Sequence, residues 1–65
     1  MSEPTAKSLE YRARAAAETS AGEATLLDEV RAKHTRAAQA WTELADAEDY
    51  REAEKAARRA ASSEA

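Results

Sequence analysis

The sequence predicts an all-α protein: a two-helix antiparallel hairpin with a long second helix, assembling into an oligomeric helical bundle. Three observations predict it. Nineteen of the 65 residues are alanine, the strongest helix former, and the punctuation is confined to Pro4 and Gly22. Small and apolar positions recur at three- and four-residue steps on both sides of Gly22. Only nine residues are large and apolar: Met1, Leu9, Tyr11, Leu26, Leu27, Val30, Trp41, Leu44 and Tyr50. A chain of this size is marginal on its own even with a good core. Helix is therefore strongly encoded and a private core weakly encoded, and a partner, often a second copy, is expected to complete it.

The chain reads as one small domain over 1–65. The first helix is expected over 5–19, with Pro4 suited to a first turn and Ser2 or Glu3 placed to cap it. Glu10 and Arg14 pair at i,i+4, and Leu9, Ala13, Ala16 and Ser20 form one narrow stripe. Residues 20–25 read as a turn, Gly22 being suited to a left-handed residue at a helix end. Thr25, three residues before Asp28, reads as the N-cap of the second helix, expected over 26–61. The competing reading is a single long helix through Gly22, at a cost of about 1 kcal/mol relative to alanine.

The second helix carries the clearest pattern. Leu27, Val30, His34, Ala37, Trp41 and Leu44 form an a/d stripe, widened by Leu26, Ala38 and Ala45, and Glu29 pairs with Lys33 on the wet side. Beyond Leu44 the same register gives Glu48, Arg51, Lys55 and Arg58, while the apolar line moves to Ala47, Tyr50, Ala53, Ala57 and Ala60. Such a phase change overwinds or interrupts a helix, so a bend near 46–49 is expected, with a separate third helix capped by Asp49 as the lesser reading. Residues 62–65 are expected to fray. With the turn near Gly22, Ala16 faces Leu27 and Val30, Ala13 lies near His34, and Leu9 meets Ala37 and Ala38. Residues 45–61 then project, uncovered, for roughly 25 Å.

The functional classes narrow by exclusion. Ten basic and 13 acidic residues are mixed along the chain, for a net charge of −3, which argues against nonspecific nucleic-acid or lipid binding. Without cysteine there is no disulfide, and the single histidine rules out an ordinary structural zinc site. No apolar run approaches the roughly 20 residues of a membrane span, and the N-terminus lacks the segments of a signal peptide, so the cytoplasm is the expected compartment.

His34, the only acid–base or metal candidate, has Val30, Arg31, Ala37 and Ala38 as helical neighbours. It reads as a half-buried polar residue in an interhelical stripe, with a symmetry-related histidine contact as the alternative. Trp41 reads as a core anchor, and Tyr50 as a partner contact or an incidental exposure. Arg12 and Arg14 beside Tyr11, and the line Arg51, Lys55, Arg58, Arg59, could meet phosphate, although solvated helix faces look the same. No phosphate loop, nucleophile elbow or paired acid is present, so no catalytic, cofactor-binding or metal residues are assigned. The interface candidates are Leu27, Val30, His34, Trp41, Leu44, Tyr50, Ala53 and Ala57.

Tyr11-Arg12, Thr25-Leu26, Val30-Arg31, His34, and Trp41 with Leu44-Ala45 carry one resemblance. Over residues 9–45 the chain resembles a loose group of very short, uncharacterised, alanine-rich bacterial helical-hairpin proteins. The resemblance implies the hairpin and no activity. The resulting expectation is a non-enzymatic helical interaction or adaptor protein, self-associating as a homo-oligomer or docking another protein, with no cofactor and no membrane. The alternative is a nucleic-acid-associated regulator using Arg12, Arg14 and the Arg51–Arg59 line.

Overall fold

A computed structural model describes residues 3–64, and within them the chain is two helices packed antiparallel: α1, Ala6–Glu23, and α2, Asp28–Glu64. The result is a rod with extents of 58 × 15 × 13 Å. Thr5 begins α1. Its backbone is extended, its hydroxyl accepts the Ser8 N–H at 3.0 Å, and its carbonyl accepts the Leu9 N–H. The hydroxyl satisfies one of the amides that a helix start leaves free, and the carbonyl takes the first regular bond of the helix. The cap is thus Thr5, with Pro4 immediately outside it, and not Glu3; Ser2 lies outside the described residues.

The turn falls later than the composition suggests. Gly22 is helical with no positive φ, and α1 continues one residue past it to Glu23. What demands glycine here is space: a Cβ at position 22 would lie 3.2 Å from the His34 Cβ. Glycine is therefore used for close helix approach, which corrects both the left-handed reading and the turn at 20–25. The connection is Ala24–Leu27. The Ala24 N–H returns to the Ser20 carbonyl, the Thr25 hydroxyl accepts the Leu27 N–H, and the Arg31 guanidinium donates to the Thr25 carbonyl at 2.9 Å. Leu27 occupies the capping position of α2, since its carbonyl accepts the Arg31 N–H; Thr25 closes the turn before it. Asp28 and Glu29 sit in the first turn, where the helix dipole favours negative charge.

Moving the turn shifts the register by more than a full helical turn, so that His34 meets Glu18 and not Ala13. Thr5 meets Glu48, Tyr11 meets Trp41, Glu18 meets His34, and Gly22 meets Arg31 and His34. That single register places Ser8 opposite Ala45 and Ala15 opposite Ala38. The α1 seam is therefore Ser8, Tyr11, Ala15, Glu18 and Gly22, a heptad-spaced line with a small residue every seventh position. Ser8 and Ala45 are fully buried. The expected α1 stripe of Leu9, Ala13, Ala16 and Ser20 points to solvent instead.

α2 passes residues 46–49 without interruption and stays helical to Glu64, beyond the expected end at 61, so among the described residues there is no third helix. Since Ala6 opens α1 opposite Ala47, residues 50–64 extend past it by roughly 22 Å at 1.5 Å per residue. No described helix is long and apolar enough to cross a membrane.

Candidate interaction surface

The seam inside the hairpin is built from small and polar groups around one aromatic pair, Tyr11 and Trp41, and this decides what is left outside. Along α2 the α1-facing line is His34, Ala38, Trp41, Ala45, Glu48 and Asp49, all buried or half-buried. The large aliphatic side chains fall off that line. Leu27, Val30 and Leu44 are exposed to 65%, 36% and 45%, Leu9 to 55%, and Leu26 at the turn to 92%. The a/d stripe read from the sequence is therefore only partly the internal one: His34 and Trp41 face α1, while Leu27, Val30 and Leu44 do not. Ala53 and Ala57 are exposed on the overhang, and Tyr50 retains 67% of its surface in water.

Two of the eight candidates are thus engaged within the chain. The Trp41 ring stacks, tilted by 31°, on Tyr11 at 5.7 Å between centroids, and the Arg14 guanidinium lies 5.1 Å above the indole. Tyr11 and Arg14 therefore complete the only aromatic contact across the hairpin among the described residues. Their one-turn spacing on α1 was the available signal. His34 Nδ1 lies 2.6 Å from Glu18 Oε2. Because a carboxylate only accepts, Nδ1 carries the proton in this contact. The sequence reading missed Glu18 because it sits on the other helix.

The open end of the hairpin holds a polar cluster that the sequence reading also missed. Ser8 Oγ donates to Asp49 at 2.6 Å, and Arg12 bridges Asp49 and Asp46 at 2.5 and 3.0 Å. Thr5 donates to Glu48, which Arg51 holds at 2.9 Å. The Ser8 hydroxyl first, then Arg12, holds the Asp49 carboxyl below its ordinary range, and Arg51 does the same for Glu48. Asp49 and Asp46 in turn push the Arg12 guanidinium further up, so it stays charged. These exposed pairs contribute little stability individually. Together they mark the register, since Thr5, Ser8 and Arg12 all bond within the short stretch Asp46–Asp49 of α2.

At the turn end an open groove of about 670 Å³ runs between the helices, lined mainly by polar side chains including Glu18, Thr19, Arg31, Thr35 and Thr42. Among the described residues no three His, Cys, Asp or Glu side chains are grouped to hold a metal ion. Comparison of the chain with protein-family models, curated proteins and solved structures finds no match, so the functional reading rests on its own residues.

Proposed function

We propose that this chain is a non-enzymatic helical interaction protein of the cytoplasm, an adaptor whose working state is an assembly of helices, with a second copy as its first partner. One observation carries the reading: the hairpin closes on small and polar residues around a single Tyr11–Trp41 stack and leaves Leu9, Leu26, Leu27, Val30, Leu44 and Tyr50 in water. The exposed area supports it. A compact 7.0 kDa monomer exposes about 4,000 Å² by the usual surface scaling. This chain exposes 5084 Å². The excess, about 1,000 Å², is close to what one partner contributes to a standard protein interface. The nucleic-acid alternative has less support, because Arg12, Arg14, Arg51 and Lys55 are each held by a carboxylate of the chain itself, which leaves only Arg58 and Arg59 of its cations without an ion pair among the described residues. Sedimentation equilibrium of the full chain tests the proposal. Mass rising with concentration across the micromolar range is expected; a fully helical monomer with a sharp melt throughout that range overturns it.

A further inference from the structure

We propose that the face of the hairpin opposite the polar groove is a homodimer interface, on which a second copy stacks with α2 antiparallel to α2 about a two-fold axis level with residues 38–39. The inference rests on the self-association reading and goes beyond it by naming the surface, the direction and the register.

Helix geometry gives the hairpin two unlike faces. Thr35 and Thr42 of α2, with Thr19 and Glu23 of α1, line the groove. Ala37 and Leu44 lie two residues past those threonines, about 200° around the helix, and so fall on the opposite face. Ala17 and Ala21, two residues before Thr19 and Glu23, take that same side of α1, and Glu10 and Arg14 continue it toward the open end. Along α2 the seam is Val30, Lys33, Ala37, Ala40, Leu44 and Ala47, at alternating steps of three and four. Its two large members, Val30 and Leu44, are exposed to 36% and 45%. α1 packs on a neighbouring line of α2, so a copy docked here leaves the hairpin intact.

Shape and charge both select a second copy. Antiparallel coiled-coil packing of this seam on itself sets Val30 over Ala47 of the second copy, Ala37 over Ala40, and Leu44 over the Lys33 stem. Each large side chain thus meets a small or flexible one. On α1 the same reversal lays the Glu10 and Arg14 stems toward the alanines near the other copy's turn. Arg36 and Glu43 flank the seam on the side away from α1, Glu43 standing on the shoulder between seam and groove. Among the described residues neither has an ion-pair partner. Nor can the helix supply one. Three and four residues from Arg36 stand Ala32, Lys33, Gln39 and Ala40, and around Glu43 stand Gln39, Ala40, Asp46 and Ala47. In the antiparallel register each Arg36 comes within about 3 Å of level with Glu43 of the second copy, twice by symmetry. A parallel copy would set Glu43 beside Glu48 and give Arg36 no carboxylate. The surplus surface of about 1,000 Å² is enough for one such face.

Two single reversals, R36E and E43R, test the register, each checked for unchanged helicity by circular dichroism. Alone, each turns two attractive pairs of the dimer into repulsive ones and is expected to self-associate about tenfold more weakly than the unaltered chain. Mixed in equal amounts, they restore both pairs and are expected to recover the unaltered affinity as a heterodimer. Leu44→Lys, which sets like charge against Lys33 of the second copy, is expected to weaken association at least about tenfold. If the two reversals each associate normally, or their mixture stays weak, the antiparallel register is wrong. If Leu44→Lys associates normally, the seam lies elsewhere; in all three cases this inference fails while self-association stands. If the unaltered chain is itself monomeric, the broader reading fails too.

Discussion

Gly22 offers the sharpest test of how the two helices meet. An alanine there adds one Cβ, 3.2 Å from the His34 Cβ, 3.7 Å from the Arg31 carbonyl oxygen and 3.9 Å from the Arg31 Cγ. Only the first is tighter than an ordinary carbon contact of about 3.5–4.0 Å. Against that compression stands a gain of about 1 kcal/mol for replacing a helical glycine by alanine. The two nearly cancel, so Gly22→Ala is expected within about 0.5 kcal/mol of the unaltered chain. Gly22→Leu adds three more carbons to the same gap. Overpacking costs about 1–3 kcal/mol, leaving a net loss of up to about 2 kcal/mol after the helical gain. For a domain this small that lowers Tm by up to roughly 16 °C at about 4–8 °C per kcal/mol. Melts followed at the helical dichroism band, at one fixed protein concentration, read both variants. Two results refute the account. If both variants melt higher than the parent, residue 22 lies on an open helix face. If alanine already costs the full amount and leucine adds nothing, the backbone there is left-handed after all.

Three further outcomes follow from the same contacts. Trp41→Ala, which removes a half-buried ring stacked on Tyr11 and Arg14, is expected to cost about 2 kcal/mol, below the range for fully buried tryptophan; urea titration measures it. Asp49 has a folded-state pKa below its ordinary 3.8, so its contribution is fully present above that value and is lost as pH falls through the lowered folded value. Melts from neutral to strongly acidic pH should show this loss, and Ser8→Ala, which removes the largest cause of the shift, should shrink it. Truncation after Asp49 is expected to leave the hairpin helical with Trp41 fluorescence unchanged, because the aromatic, hydroxyl and ionic contacts to α1 fall at or before Asp49; circular dichroism and fluorescence read both.

Two helices, an antiparallel turn and a second helix far longer than the first were all legible in the sequence, because alanine-rich segments have no competing local structure. The turn position was not. Glycine serves two physical ends, a left-handed backbone and a missing side chain, and a single residue cannot distinguish them. The distinguishing signal was non-local: Ser8, Ala15 and Gly22 are seven apart, as are Ala38 and Ala45, so small residues could interlock across two helices. Locating the turn at Gly22 instead turned α1 by well over a quarter of a revolution and brought Leu9 inward. The phase change after Leu44 was real in the sequence, but it does not break the helix. It marks where α2 outruns α1, near Asp49. Of the candidate surface, Tyr50, Ala53 and Ala57 were legible as an unpartnered line, whereas Glu18 opposite His34 and Ser8 opposite Asp49 required the register.

Why α1 settles on the Trp41 face of α2 and not on the aliphatic one follows from what each face can satisfy. Docked on Leu27, Val30 and Leu44, α1 would bury those side chains, at about 1.5–3 kcal/mol each, but would give up Trp41, now stacked on Tyr11 and covered by Arg14. It would also turn away the groups that now find partners: the Ser8 and Thr5 hydroxyls, Arg12, and Glu18 on His34. Small residues let the backbones approach closely, so weak dispersion contacts accumulate along the whole shared length. The polar groups at either end then lock the register. The large aliphatic side chains stay available for a second molecule to cover, with the cost of association set against their burial. A hairpin that buried its leucines internally would be a more stable monomer with less apolar surface to offer a partner.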